Sequence, residues 1–199
     1  MGGKSVNVGV LALQGDVSEH IDAFARALKD RGCSEGSTVV EIRKPADLEG
    51  CSALAIPGGE STTISRLIDK NGLYEPIRTF KGGIFATCAG MILMATEVGD
   101  PRVHGLGLLD MTVDRNAFGR QRESFEADIP VQGLEGGPFH AVFIRGPVVT
   151  EARAGVTVLA RIDKGIVAVE RDKHMALAFH PELGGDLRLH ERFLVANGI

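Results

Sequence analysis

The first half of the chain repeats one unit: a short β-branched apolar run, a glycine-containing turn, and a segment whose apolar residues recur at helical spacing. The run from Val6 to Leu13 is followed by Ile21, Phe24, Ala25 and Leu28, which form one stripe on a helix over 17–31 that Gly32 stops. Thr38 to Ile42 and Ala53 to Ile56 read as further strands, the second ending at Pro57-Gly58-Gly59. Ile64, Leu67 and Ile68 then define a helix over 61–71, with Ser61 placed to cap it and Gly72 to stop it. Gly83 to Thr87 runs directly into Cys88-Ala89-Gly90 and a helical run from Met91 to Glu97. Strands without polar alternation are buried on both faces, and strand–helix alternation makes neighbouring strands parallel. The pattern predicts an α/β fold with a mostly parallel sheet and helices on both faces.

The second half changes character. Met111 to Arg115, Phe125 to Ile129, Ala141 to Ile144, Val156 to Ile162, Ile166 to Glu170 and Met175 to Phe179 are short strands between Gly, Pro and charged turns, several of them antiparallel, and a last helix covers 187–197. With no self-similar sequence repeat, low-complexity tract or long linker, residues 1–199 read as one domain. A chain of this length buries about 70% of its unfolded surface, so it needs no disulfide or metal staple. Cys33, Cys51 and Cys88 are odd in number and lack a C-x-x-C, which suits a reducing compartment; the expected location is the cytoplasm. The net charge of -4 provides no basic excess for a nucleic-acid backbone. The run Val6 to Leu13, broken by Asn7, is too short for a signal peptide or membrane span. The histidines show no H-E-x-x-H or Cys/His ligand spacing, so neither metal nor cofactor is expected.

Three turns carry chemistry. A strand ending in Ala86-Thr87-Cys88-Ala89-Gly90 and opening a helix has the pattern of a nucleophile elbow, which lifts a reactive side chain above the sheet. The helix start favours a thiolate at Cys88, and the Ala89 amide points where an oxyanion would develop. In Phe179-His180-Pro181-Glu182, proline keeps the backbone extended, so Glu182 falls on the same face as His180, a base with its orienting acid. The glycines of Pro57-Gly58-Gly59-Glu60-Ser61 let a backbone approach a ligand closely and offer N–H donors. Taken singly, each has a plainer reading: a buried structural cysteine, a surface turn, a capped loop.

Together these segments resemble the triad glutamine amidotransferases, whose three-layer, flavodoxin-like fold is then implied. Gly9 to Gly15 with Glu19-His20, Pro57 to Thr63, Arg115-Asn116-Ala117-Phe118-Gly119-Arg120-Gln121, Ser124-Phe125-Glu126 and Phe143-Ile144-Arg145 narrow the resemblance to the glutaminase subunits of pyridoxal 5'-phosphate synthase. It runs from about Val8 to the final helix. The resemblance implies hydrolysis of L-glutamine to glutamate and ammonia by Cys88, His180 and Glu182 through a cysteinyl thioester, with Gly59 and Ala89 as the oxyanion hole. It implies substrate contacts at Gly59, Glu60, Ser61, Arg115, Ile144 and Arg145, of which the two arginines suit a carboxylate and Glu60 an ammonium. It also implies a partner, the synthase subunit that consumes the ammonia and on whose docking the Gly58-Gly59 loop adopts its working form. Arg120, Gln121, Arg122 and the first helix are candidate contacts for that partner.

Two positions depart from the family pattern: Ala86 stands where glycine is usual, its small methyl group expected to be tolerated but to strain the turn if the position needs φ > 0 or close backbone approach, and Gly146 where alanine is common, with only local stiffness expected to change. The rival readings are a glutaminase serving another amidotransferase, a DJ-1-like cysteine protein, and a non-catalytic binding module in which Cys88 is core.

Overall fold

The computed structural model describes residues 5–33, 36–118 and 124–199. The first half follows the predicted order: β1 (Asn7–Leu11), α1 (Val17–Asp30), β2 (Thr38–Ile42), β3 (Cys51–Ile56), α2 (Ser61–Lys70), α3 (Tyr74–Arg78), β4 (Gly83–Thr87) and α4 (Ala89–Met94). The second half holds β5 (Ala95–Val98), β6 (Leu109–Asp114), β7 (Phe125–Ile129), β8 (Phe139–Phe143), β9 (Val148–Ala152), β10 (Thr157–Ile162), β11 (Gly165–Arg171), β12 (His174–Leu177) and α5 (Arg188–Ala196).

The main sheet runs β2-β1-β3-β4-β12-β11-β9-β6-β5, with β10 paired to β11. Its first five strands are mutually parallel, and β12, β11, β9 and β6 are joined by antiparallel ladders. Every residue of β4 is buried, as a central strand covered on both faces requires. Helices α1 and α5 pack on one another, and α2 packs on α4, which lies against β4 and β12. Phe24, Phe85 and Phe193 fill the space beside α1 and α5, with ring centroids 5.3 to 6.0 Å apart.

A separate ribbon, β7–β8, is pinned by a second aromatic group. Phe125 stacks on Phe143 at 4.6 Å, and Phe143 meets Phe179 at 5.5 Å. Because Phe179 precedes His180, and the His180 N–H donates to Val142 O at 2.8 Å, this ribbon fixes the backbone at one of the candidate reactive residues.

The structure departs from the sequence reading in identifiable places. The segment read as helix to Glu97 stops at Met94, and Ala95–Val98 pairs with β6 as a strand, so tertiary pairing overrides local periodicity. Strand β9 and the short helix α3 fall where the sequence pattern predicts neither. The N-cap of α2 is Glu60, not Ser61: its carboxylate accepts from Thr63 N at 2.7 Å and Thr62 N at 3.3 Å, while Ser61 is buried. A carboxylate at this end also meets the positive end of the helix dipole.

Candidate active site

Four loops at the carboxyl ends of adjacent parallel strands converge: Gln14–Asp16 after β1, Gly58–Glu60 after β3, Cys88 after β4 and His180 after β12. Open α/β sheets bind ligands at this edge. The strand register sets the two reactive side chains close together: Thr87 pairs with Leu177, and the Cys88 N–H donates to Leu177 O at 2.8 Å.

Cys88 takes φ 48° and ψ -105°, a conformation that L side chains rarely adopt, and it is one of few non-glycine residues with positive φ. The turn is tight because α4 starts directly against β3; a Cβ on Gly90 would lie 2.2 Å from Ile56 O, so only glycine fits. Ala86, by contrast, sits in regular register between Ile56 and Ala176 without positive φ, so its methyl group meets no left-handed-backbone strain. At Gly146 the departure reaches beyond stiffness: a Cβ would lie 2.4 Å from Ala178 O, so the backbone packs closely beneath the strand end that carries His180.

His180 is 3% exposed, and its Nδ1 faces two carboxylates, Glu182 Oε1 at 2.7 Å and Asp16 Oδ2 at 3.3 Å. Nδ1 therefore carries a proton, and Nε2, which has no hydrogen-bond partner among the described residues, is the nitrogen left for proton transfer. Burial opposes a charged ring, but the Asp16 and Glu182 carboxylates facing Nδ1 outweigh it and raise the His180 pKa. The Glu182 side chain is fully buried. Burial alone would favour its neutral form, yet the charge of His20 and hydrogen bonds with His180 and His20 hold its carboxyl well below the usual range.

These opposed shifts give stability a pH signature. Glu182, with its pKa depressed, contributes stability that is present above its unfolded value near 4.5 and lost as pH falls through the folded value. His180, with its pKa raised, contributes stability that is full below 6.5 and lost as pH rises through the folded value. The stability gap between the wild type and Glu182→Gln, read from urea unfolding, is therefore expected to be widest between about pH 4.5 and 6.5 and to shrink on either side. A gap that is flat with pH would contradict this account of the pair.

Cys88, His180, Gly59, Ala89, Glu60, Ser61, Arg115, Ile144 and Arg145 all line one cavity of about 880 Å³; Asp16, Ile92, Asn116 and Phe118 complete its wall. Every sequence-derived site residue except the buried acid Glu182 thus faces the same space. At its polar end Arg115 Nη2 stands 3.3 Å from Glu60 Oε1, and Arg115 also pairs with Asp100. Arg145, at φ 48°, makes no ion pair among the described residues. The glycine loop is tethered: Asp16 N–H donates to Gly58 O at 3.3 Å and Glu60 N–H to Gln14 Oε1 at 2.9 Å. The sequence marks no such contact for Gln14 or Asp16, whereas His20, beside Glu19 at the start of a helix, is the histidine it marks for a structural or interface role. Of the candidate partner contacts, Arg120, Gln121 and Arg122 lie outside the described residues.

The architecture is that of the glutamine amidotransferases. A crystal structure of a glutamine amidotransferase matches 96% of this chain and 99% of its own with TM-score 0.84 at 48% identity. Another, from Thermotoga maritima, shares the fold over 98% of this chain and 94% of its own, with TM-score 0.63 at 14% identity. Within that class the chain belongs to the SNO glutamine amidotransferase family, whose model matches residues 10–197. It is 82% identical over 98% of its length to the whole of the pyridoxal 5'-phosphate synthase subunit PdxT of Methanoregula boonei. It is 66% identical to the corresponding subunit of Methanosphaerula palustris, over 98% of both chains. No helix among the described residues is long and apolar enough to cross a membrane.

Proposed function

We propose that this chain is the glutaminase subunit of pyridoxal 5'-phosphate synthase, hydrolysing L-glutamine to glutamate and ammonia and passing the ammonia to the synthase subunit. The observation that carries the reading is the convergence on one cavity of Cys88, held at φ 48° on its turn, and of His180, backed by a buried carboxylate. The names of the relatives and the family agree with it.

In this reading the Cys88 thiolate attacks the side-chain amide carbon of glutamine, and the Ala89 and Gly59 amides stabilise the oxyanion that forms. The C–N bond then breaks as His180 gives a proton to the departing ammonia, leaving a glutamyl thioester. His180 next takes a proton from water as it attacks the thioester; collapse breaks the C–S bond, releases glutamate and restores the Cys88 thiolate beside a protonated His180. Glu182 holds the His180 tautomer throughout. Apo geometry at such sites is often loose and tightens with substrate, so the lack of a Cys88–His180 hydrogen bond of ordinary geometry is compatible with the step.

The Arg115–Glu60 pair supports an amino-acid substrate, because it presents a positive and a negative group side by side, as an α-carboxylate and α-ammonium require. Arg145, without an ion pair among the described residues, supplies a second cation, and Ser61 and Ile144 complete the wall. In the proposed complex residues 1–199 act as one domain, α1 is a candidate docking surface for the synthase, and the protein works in the cytoplasm. The unpaired state of Cys33, Cys51 and Cys88 supports that location.

The test is glutamate release from L-glutamine by the purified chain with and without the synthase subunit, using Cys88→Ala as the blank. Release that depends on Cys88 and rises with the partner is expected; a confirmed complex with no Cys88-dependent release would overturn the reading.

A further inference from the structure

His20 lies on the apolar face of α1 among Ala23, Phe24, Ala27 and Leu28, and it is 0% exposed. A histidine in a core usually meets one partner; here a single nitrogen meets two. Its Nε2 lies 2.9 Å from Thr87 Oγ1 and 3.4 Å from Glu182 Oε1. Thr87 directly precedes Cys88, and Glu182 Oε1 is the same oxygen that holds His180. Glu182 itself stands in an irregular turn after Pro181, outside any ladder or helix that would fix its rotamer, and its Oε2 has no partner among the described residues. We propose that His20 is a positioning residue of the glutaminase reaction: its Nε2–H tethers Glu182 to the nucleophile turn and so fixes the carboxylate that aligns His180. This inference rests on the glutaminase reading given above.

An ionised carboxylate can only accept, so a contact between Nε2 and Glu182 requires the proton on Nε2, and Nδ1 has no partner among the described residues to compete for it. Around it the ionisable groups are Glu182, with His180 beyond it, His190 from α5, and Asp16 one turn back on its own loop and helix. Burial and the charge of His20 push the His190 pKa down to about 3, and neither ring nitrogen of His190 has a partner among the described residues, so His190 stays neutral and apart. His20 is held in place by Phe24, at a centroid distance of 6.5 Å, and the edge of Phe85 at 6.2 Å. With the ring fixed, the Nε2–H direction becomes a constraint on Glu182.

Two measurements test this. Nitrogen-15 NMR of the ring histidines in the wild-type protein is expected to show His20 as the Nε2–H tautomer or the doubly protonated ring, with a signal that moves in Glu182→Gln. A stable Nδ1–H tautomer would leave Nε2 with no proton to donate and would overturn the proposal, whatever the activity. In the complex with the synthase subunit, His20→Leu is expected to lower glutaminase kcat by about 10- to 100-fold with little change in KM. Its kcat/KM profile is expected to narrow, the acid limb moving up as Glu182 loses a donor and the basic limb moving down as His180 loses its aligned acid. His20→Gln, which restores an N–H at a similar reach, is expected to recover most of the rate and width. Equal losses in Leu and Gln variants with an unshifted profile would make His20 a core residue only. If His20→Leu does not fold, the Gln variant and the wild-type spectrum still decide. An inactive wild-type complex would refute the glutaminase reading instead, and the tautomer would settle the contact separately.

Discussion

Replacing Cys88 with alanine is expected to lower glutamate release by the complex on the order of 10⁶-fold, to background, because removing the nucleophile of a covalent mechanism removes the pathway itself. The fold should survive, since the side chain lost is small, 7% exposed and, among the described residues, anchored by a single long contact to Ile144 O at 3.9 Å. Stability offers an independent check on the same residue. At φ 48° and ψ -105° any side chain is strained, and such strain costs about 1–3 kcal/mol. Cys88→Gly, although equally inactive, is therefore expected to unfold at higher denaturant than Cys88→Ala. Activity retained in Cys88→Ala would remove the cysteine from the chemistry; Cys88→Gly less stable than Cys88→Ala would remove the strain.

The second large effect is expected at Gly58, which contacts no reacting atom in the proposed mechanism. A Cβ there would lie 2.5 Å from His180 Cε1 and 3.0 Å from Asp16 Oδ2. The ring cannot yield freely, because its Nδ1 is held at 2.7 Å by a buried carboxylate and its backbone N–H by Val142. Gly58→Ala must displace the base, the glycine loop or both. Misplacing a catalytic group by about 1 Å costs on the order of 10²-fold, so kcat/KM for glutamine should fall by about that factor. Overpacking adds a loss of about 1–3 kcal/mol in stability. The pair of readings from steady-state kinetics and urea unfolding checks this; wild-type kcat/KM in a folded Gly58→Ala complex would show that the loop and ring are not packed as described.

The parts of the site that sequence made legible are those built from neighbours in the chain. Cys88 announces itself because strand, turn and helix follow one another within a few residues, and His180 and Glu182 because proline sets their relative direction. The same locality explains the parallel half of the sheet, where each strand carries its own helix. What escaped depends on distance along the chain. His20 meets Thr87 across 67 residues, and the Glu60 amide meets Gln14 across 46. No periodicity distinguishes His20 from any other inward position of an amphipathic helix. Asp16 reads as an ordinary residue before a helix, yet it closes on His180 only after β1 and β12 take places in one sheet. Strand β5 was hidden because Ala95 to Val98 continues the composition of the helix before it; pairing with β6, not propensity, decides its state. Ser61 and Glu60 could each serve as a cap by residue type, and the choice falls to Glu60 because Ser61 turns into the buried interface.

The most direct test is to quench the complex in acid during turnover with L-glutamine and weigh the intact chain. A glutamyl adduct on Cys88 is expected, carried as a thioester and absent from Cys88→Ala. Glutamate release without any such adduct, under conditions where thioester breakdown is limiting, or an adduct at another residue, would contradict it.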